Sequence, residues 1–372
     1  MSWFARKRAR AVGAAGFEES TPERDSEAGA QGNGRRKAIL VTGGTGFLGS
    51  HLVRELVEAE GGQRDVRVLS SAPAPWLAEV GAASTIGSIT NAEDVARAVD
   101  GVSEIYHLAG RVSHARDDSA RMYALHVEGT RLLCDAAVRG DVRSIVIASS
   151  SGTLAASSNP DSIATESTPP PLDVVLRWPY YASKVYQERV ALERCNGSGC
   201  RVVIVNPSLL LGPGDARLTS TRPILDFLAR RIPVIPPGGL SFVDARDAAH
   251  ACRAAMRLGV HGERYLLGAA NWTFRELFAR LERLTKVAAP RVPIPVRLAG
   301  AGARAYGAVV RGWDLSPSVD PAELEMARYF WYVDASKATR ELGFTPRDPA
   351  TTLHDTVSYI RERFLGAGAF GA

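Results

Sequence analysis

Residues 38–49 read AILVTGGTGFLG, a short apolar run that passes directly into a glycine-rich loop. Consecutive apolar residues of this length are typical of a strand that is buried on both faces of a parallel sheet. An apolar stripe at helical spacing follows. Its members are Leu48, Leu52, Val53, Leu56 and Val57. The segment therefore predicts a strand, a tight loop and a helix, the opening unit of an open α/β sheet.

The alternation of strand and helix continues to about residue 206. Further apolar runs predict strands at Val66–Leu69, Ser84–Ile86, Ile105–Leu108, Ser144–Ala148 and Val202–Val205. Helical patterns such as Ala92–Val99 and Met122–Val138 separate most of them. We therefore expect an α/β fold, with a Rossmann-type doubly wound parallel sheet over residues 37–206 and later returning segments. Residues 207–366 are expected to form mainly a smaller C-terminal substrate-binding region.

The excess of basic residues is concentrated at the N-terminus. Residues 1–37 account for +3 of the formal net charge of +5, and the nearly neutral remainder argues against nucleic acid as a partner. Residues 1–36, rich in Gly, Ala, Ser and Arg, are expected to be a disordered basic tail. No apolar stretch predicts a transmembrane segment. Four cysteines are too few to crosslink 372 residues, which favours a cytoplasmic protein with free thiols. No metal site is predicted.

The glycines of the loop have the spacing GxxGxxG. Gly43 permits a tight turn, Gly46 lets backbone N–H groups approach a pyrophosphate, and Gly49 lets the helix pack close to the strand. The N-terminus of the helix adds partial positive charge. Because the triplet stands between a strand and a helix, it predicts a dinucleotide site. The loop residues expected to bind are Gly43, Gly46, Phe47, Leu48 and Gly49.

The second predicted strand ends without a carboxylate. A site selective for NAD places Asp or Glu there, on the ribose 2′-hydroxyl. Here Ser70 and Ser71 follow the strand, and their hydroxyls can donate to a 2′-phosphate. NADP(H) is therefore the favoured cofactor and NAD(H) the second choice. Alternatively, the two serines only begin a loop.

A second chemical motif is Trp178-Pro-Tyr-Tyr-Ala-Ser-Lys184. Tyr180 and Lys184 are four residues apart and share a face of a helix. An ammonium beside a phenol is expected to lower the pKa of the phenol, as a general acid/base for an alcohol–ketone pair requires. This spacing is common, but residues 149–153 follow a predicted strand and add hydroxyls that can donate to a substrate oxygen.

Together these motifs resemble the extended short-chain dehydrogenase/reductase superfamily, from about Ala38 to Phe364. The resemblance rests on the glycine-rich loop, Tyr106-His-Leu-Ala109, Ser149-Ser150, Tyr180-x-x-Ser183-Lys184, Asn206-Pro207, Gly212-Pro-Gly-Asp215 and Phe242-Val-Asp244. The chain looks most like the dihydroflavonol-reductase-like and 3β-hydroxysteroid-dehydrogenase-like branches, and like bacterial NAD-dependent epimerase/dehydratase proteins. The resemblance also implies a homodimer.

The resemblance implies roles for particular residues. Tyr180 would be the acid/base, and Lys184 would bind the nicotinamide ribose and tune Tyr180. Ser150 would orient the substrate oxygen, with Ser151 as the alternative if the register moves by one. The further residues implied to border the cofactor are Ser88, Ile89, Ala109, Asn206 and Pro207.

The chain departs from the superfamily pattern at three places. Ser88 stands where an Asp usually contacts adenine. His126 stands where an Asn usually holds a proton-relay water; it either substitutes in that relay or is a core histidine with satisfied hydrogen bonds. Residues 154–156, Leu-Ala-Ala, replace a Tyr common in sugar-nucleotide epimerases, which argues against nucleotide sugars.

These observations favour an NAD(P)(H)-dependent oxidoreductase that reduces a carbonyl of a hydrophobic or cyclic small molecule, or oxidises the matching alcohol. A nucleotide-sugar epimerase or dehydratase is the alternative, and a non-catalytic dinucleotide-sensing protein is a third hypothesis. The segments expected to line the substrate pocket are mainly apolar, without an obvious basic cluster to hold a diphosphate. They are Arg111–Ser113, Val174–Trp178, Leu209–Leu211 and Pro233–Phe242.

Overall fold

A computed structural model describes residues 37–113, 116–293 and 321–366, so the predicted tail at residues 1–36 lies outside the described residues. The strands are β1 (Ala38–Thr42), β2 (Val66–Ser70), β3 (Ala83–Ile86), β4 (Val102–His107), β5 (Ser144–Ala148), β6 (Arg201–Pro207), β7 (Leu209–Leu211), β8 (Val234–Ile235), β9 (Gly239–Asp244), β10 (Arg264–Leu267), β11 (Ala270–Thr273), β12 (Val292–Pro293) and β13 (Phe330–Trp331). Seven of them form a central parallel sheet in the order β10-β6-β5-β4-β1-β2-β3.

Helices lie between most of these strands. They are α1 (Phe47–Glu60), α2 (Trp76–Glu79), α3 (Ala92–Val99), α4 (Ser119–Tyr123), α5 (Gly129–Arg139), α6 (Leu172–Val175), α7 (Pro179–Cys195), α8 (Arg222–Leu228), α9 (Ala245–Leu258), α10 (Phe274–Thr285), α11 (Pro321–Met326), α12 (Ser336–Leu342) and α13 (Pro349–Ile360). A π-helical turn, Ala124–Glu128, joins α4 to α5. The predicted helix Met122–Val138 is therefore α-helical at both ends and wider in between.

Helices cover both faces of the central sheet. Successive residues of each strand point to opposite faces, so each strand contributes to two cores. In β1, Ile39 and Val41 pack in one core with Leu52 of α1 and Ala251 of α9. Leu40, between them, packs in the opposite core with α3, α5 and α7. This double burial explains why the strands appear in the sequence as continuous apolar runs. The doubly wound α/β fold predicted from the sequence is confirmed.

A smaller sheet stands at the carboxyl end of the central one. Strand β9 pairs with β7 and β13 in parallel and with β11 antiparallel. Its core includes Phe227, Phe242, Trp272 and Phe278. Between β9 and β11 the chain returns to the central sheet, where β10 pairs with β6.

Two further observations concern the cysteines and the helices. The four cysteines are free and buried. Among the residues that the structure describes, no helix combines the length and apolar character needed to cross a membrane.

Candidate functional site

The glycine-rich loop between β1 and α1 brings backbone segments too close together for side chains. Gly43 has φ +71°, and a side chain there would meet the backbone of Leu108 and Ala109 at 2.6 Å. A Cβ on Gly49 would overlap the carbonyl oxygen of Gly43. Helix α1 begins at Phe47 with no acidic residue in its first turn. Its free N–H groups can therefore face an anion.

A cavity of about 1920 Å³ extends from this loop to the C-terminal region. This is roughly twice the upper volume of a drug-sized pocket, so a dinucleotide and a substrate have room side by side. Most of the predicted site residues line the cavity. They are Gly43, Gly46, Phe47, Leu48, Gly49, Ser71, Ser88, Ser150, Tyr180, Lys184 and Pro207. Ser151, the alternative to Ser150, lines it too.

Three predicted cofactor residues are not among those that line the cavity; Ile89 and Asn206 are buried, and Ala109 is half-buried between two residues of the wall. The Ile89 side chain is buried in the core beside Gly129. The backbone N–H of Ala109 donates to Thr42 Oγ1 at 3.3 Å. Asn206 is fully buried and donates to the Ser150 carbonyl oxygen at 3.1 Å. The side chains of Ile89 and Asn206 therefore support the wall and are not part of its surface.

The end of β2 differs from the expectation of two hydroxyl donors. Ser70 is buried, and its hydroxyl donates to the Ala72 carbonyl oxygen at 2.6 Å. The prediction is therefore wrong for Ser70, because its single proton is used within the turn. Ser71 is exposed and lines the cavity.

Arg54 also lines the cavity, on the polar face of α1, and sequence reasoning missed it. Its guanidinium carbon lies 4.9 Å from the centroid of the Trp76 ring, a cation–π contact. Within the described ranges it makes no ion pair with a carboxylate. Three kinds of donor face the cavity: the N–H groups at the start of α1, the Ser71 hydroxyl and the Arg54 guanidinium. They suit the phosphates of a dinucleotide, so the residues present fit that cofactor.

Tyr180 and Lys184 both line the cavity, but the hydrogen bonds of the ammonium go to groups other than the phenol. Lys184 Nζ donates to the Ala148 carbonyl oxygen and to Gln187 Oε1, both at 2.8 Å. Burial raises the pKa of Tyr180 to about 12, against a smaller lowering by a hydrogen bond with Ser150. Burial also lowers the pKa of Lys184 to about 8. The expectation of a lowered phenol pKa is therefore wrong for this structure, because desolvation dominates.

The profile of the NAD dependent epimerase/dehydratase family matches residues 39–268, which include the glycine-rich loop, Ser150, Tyr180 and Lys184. The chain belongs to this family. It is thereby also a member of the extended short-chain dehydrogenase/reductase superfamily.

Relatives and solved structures support the assignment. A Synechocystis protein whose name is that of a dihydroflavonol 4-reductase is 32% identical, over 87% of this chain and 94% of its own. Sterol demethylase protein B of Methylococcus capsulatus is 32% identical, over 87% and 98%. The crystal structure of gox2253 has a TM-score of 0.76 at 29% identity, covering 90% of this chain and all of that one. DesIV of Streptomyces venezuelae, a dTDP-glucose 4,6-dehydratase solved with NAD, has a TM-score of 0.68 at 25% identity, over 87% and 97%.

His126, where the superfamily usually has an asparagine, is a core histidine with satisfied hydrogen bonds. Its Nε2 accepts from the backbone N–H of Arg111 at 3.0 Å. Its Nδ1 lies 2.7 Å from Ser183 Oγ, whose own proton goes to the Tyr180 carbonyl oxygen, so Nδ1 is the donor. Burial lowers the pKa of His126 to about 2. The neutral ring has no donor or acceptor left for a relay.

Glu188, on α7 four residues after Lys184, organises the loop that carries Ser150, and sequence reasoning missed it. Its Oε1 accepts hydrogen bonds from Ser149, from Thr153 and, at 2.8 Å, from Asn206. Its Oε2 pairs with Arg264 of β10 at 2.6 Å. The carboxylate is 2% exposed. Strands β5, β6 and β10 are therefore joined to α7 through one buried charge.

The side of the cavity away from the glycine-rich loop combines aromatic walls with a few charges. Tyr181 stacks on Trp331 at 4.9 Å between ring centroids, and Trp178 packs against both rings. Apolar residues continue the wall. They are Leu209, Leu210, Pro233, Val234, Pro236, Pro237, Leu240, Phe274, Phe278, Val292 and Met326.

Basic residues from outside the segments predicted to line the pocket also line this side. They are Arg217, Arg222 and Arg231. Arg231 is paired with Asp226 at 3.4 Å. No group of three or more His, Cys, Asp or Glu side chains in the described ranges is arranged to hold a metal ion.

Proposed function

We propose that this chain is an NAD(P)(H)-dependent oxidoreductase that reduces a carbonyl, or oxidises the matching alcohol, of a hydrophobic or cyclic small molecule. The observation that carries the proposal is the position of Ser150 and Tyr180 in one cavity, with the phosphate-binding loop on one side and an aromatic, apolar wall on the other. Family membership and reductase-named relatives support it.

The chemistry divides between cofactor and protein. The dinucleotide, when bound, supplies or receives the hydride. Ser150 donates a hydrogen bond to the substrate oxygen, and the neutral phenol of Tyr180 gives that oxygen its proton. Lys184 has three N–H donors and uses two within the protein, which leaves one for the nicotinamide ribose.

The lining favours a fused-ring or aromatic substrate. Burial of a flat apolar molecule against Tyr181 and Trp331 removes apolar surface from water, at roughly 25 cal/mol per Å². The names of two relatives point to ring systems of this kind, a dihydroflavonol and a sterol. We therefore place polycyclic ketones and alcohols first among the candidate substrates.

The test compares two neighbouring tyrosines. Apolar ketones and aldehydes are screened with NADPH and NADH, and Tyr180→Phe is assayed on any substrate found. We expect its kcat to fall by about 10²–10⁴-fold, because the proton donor is lost. Tyr181→Phe is the matched control, since it keeps the ring stacked on Trp331; its kcat should change only a few-fold. Equal losses in both variants would contradict the proposal, and cofactor binding without turnover would favour the dinucleotide-sensing alternative.

A nucleotide-sugar epimerase or dehydratase is the second candidate. Arg217, Arg222 and Arg231 in the cavity wall favour it, because guanidinium groups bind diphosphates well. Such an enzyme regains its cofactor in each cycle, so freshly purified protein should carry NAD that survives dialysis. Mass spectrometry of the released dinucleotide distinguishes the two: an empty site that consumes NADPH stoichiometrically supports the reductase.

A further inference from the structure

The ammonium of Lys184 is the end of a buried chain of hydrogen bonds that begins beside the glycine-rich loop. Lys184 Nζ donates to Gln187 Oε1 at 2.8 Å, and Gln187 Nε2 donates to Thr130 Oγ1 at 3.0 Å. His107 Nε2 lies 2.8 Å from the same oxygen, and His107 Nδ1 lies 2.7 Å from Thr42 Oγ1. All five side chains are at most 5% exposed.

The donor and acceptor at each link are fixed. The Thr130 hydroxyl gives its proton to the His126 carbonyl oxygen, so it accepts from both Gln187 and His107. His107 is therefore protonated on Nε2 only, and Thr42 donates to its Nδ1. Burial keeps this ring neutral by lowering its pKa to about 3. An ammonium can only donate, so the Gln187 amide has one orientation, with its oxygen towards Lys184.

The charged and titratable groups around the ammonium come from three elements. Tyr180 and Glu188 lie on α7 with Lys184, His126 lies on the π-helical turn and His107 on β4. Glu188 raises the pKa of Lys184, and both histidines are neutral. The Glu188 oxygens are occupied by four other donors. Among side chains in the described part of the chain, Gln187 supplies the hydrogen-bond acceptor that touches Nζ.

We propose that Gln187 is a positioning residue, which fixes the place and the charge of the Lys184 ammonium. His126, on the neighbouring π-helical turn, has no free ring nitrogen with which to serve a water relay. The Ala148 carbonyl oxygen fixes a second N–H. The third N–H is left at the cavity, and its direction depends on the first two. The role of Gln187 in turnover rests on the proposed function, but its effect on the charge of Lys184 does not.

The sequence makes Lys184 easy to observe, because the chain has five lysines: Lys7, Lys37, Lys184, Lys286 and Lys337. Full-length protein labelled with [ε-¹³C]lysine gives five signals, and Lys184→Arg identifies one of them. Its titration by NMR, without cofactor or substrate, measures the pKa of Lys184 directly. The signal of Lys337, which pairs with Glu263 and lies over the Tyr265 ring, reports whether each variant is folded.

Two substitutions should move this titration in opposite directions. Gln187→Met removes the acceptor at similar length, so the pKa of Lys184 should fall by about one pH unit. Gln187→Glu puts a carboxylate beside the ammonium, so the pKa should rise by about one unit or more. Tyr186→Phe, on the exposed side of the same helix, is the control and should leave the titration unchanged.

The pH profile of kcat should follow the same two shifts once a substrate is in hand. Unchanged titration of Lys184 in both Gln187 variants, or shifts of the same sign, would overturn the proposal. A merely structural role for Gln187 would give such a result, with both variants only less stable. Failure of the proposed function is a separate outcome, namely no turnover by the unaltered protein whatever its Lys184 pKa.

Discussion

Burial shifts the pKa values of Tyr180 and Lys184 in opposite directions. Burial raises the pKa of the phenol to about 12 and lowers that of the ammonium to about 8. Below pH 8 the site therefore holds a protonated phenol beside a charged lysine. A phenol that keeps its proton can donate it to a carbonyl oxygen, so this protonation state suits the proposed reduction.

Arg54 makes a prediction about cofactor choice. A guanidinium with no carboxylate partner in the described ranges, held on Trp76 at the end of the cavity where β2 stops, can pair with a 2′-phosphate. Arg54→Ala should weaken NADPH binding about tenfold, which corresponds to one charge-assisted hydrogen bond. NADH binding should be unchanged. Titration of both nucleotides by fluorescence measures the two dissociation constants.

Arg67, also on this half of the sheet, is the control for Arg54. Its guanidinium is used by the Ala98 and Asp100 carbonyl oxygens at 2.8 Å, so Arg67→Ala should not separate the two nucleotides. An equal loss of NADPH and NADH affinity in Arg54→Ala would contradict a contact with the 2′-phosphate.

Single residues also show where sequence reasoning stops. Gly43, Tyr180 and Lys184 could be found because their signal is local spacing. Arg54 and Glu188 could not, since what matters in each is a partner distant in the sequence: Trp76 for one and Arg264 for the other. The desolvation of Tyr180 was missed for the same reason. The raised pKa of Tyr180 depends on side chains that fold around it.

At the scale of elements, the first turn of α1 packs directly against the glycine-rich loop that precedes it. Gly49→Ala should lower the melting temperature by several degrees, as overpacking costs about 1–3 kcal/mol. It should also abolish detectable dinucleotide binding, because the new Cβ overlaps the Gly43 carbonyl oxygen and the loop must move. Differential scanning fluorimetry and NADPH fluorescence provide the two measurements.

Ser50→Ala is the matched control in the same turn. It removes a hydroxyl that donates to the Phe47 carbonyl oxygen at 3.0 Å and adds no atom to the interface with the loop. Dinucleotide affinity should stay within a few-fold of the original. Normal binding by Gly49→Ala would show that the loop does not depend on this close approach.

Strands that are buried on both faces could be predicted from the sequence. Strands that pair with residues far along the chain could not. The apolar runs that predict β1, β5 and β6 differ from the observed strands by a few residues at most. The second sheet was missed, since β7 has only three residues and pairs with Phe242–Asp244 far along the chain. The π-helical turn at Ala124–Glu128 has no counterpart in the apolar spacing.

At the scale of the whole molecule, the return of the chain completes the site. Arg264 lies on β10, which follows β7 and β9 of the second sheet in the chain, and reaches back 76 residues to Glu188. The two side chains are 31% and 3% exposed. Because Glu188 holds the loop of Ser150, the last strand of the central sheet is tied to the end of the cavity where Ser150 and Tyr180 lie.

This pair predicts a large and specific loss of stability. Arg264→Ala leaves the Glu188 carboxylate buried without its cation, which should reduce the free energy of unfolding by about 3 kcal/mol. Glu188→Gln in the same chain should recover part of that loss, since the unpaired charge is gone. Urea unfolding of the single and double variants measures both effects and their coupling.

Arg189, the next residue on α7, provides the comparison that separates burial from charge. It pairs with Glu193 at 2.7 Å, with side chains 71% and 58% exposed, so Arg189→Ala should change the free energy of unfolding by less than about 0.5 kcal/mol. A loss from Arg264→Ala as small as that would mean that water reaches Glu188 freely. In that case the carboxylate could not fix Ser149, Thr153 and Asn206 around Ser150, and the loop would have to be ordered by the bound ligands instead.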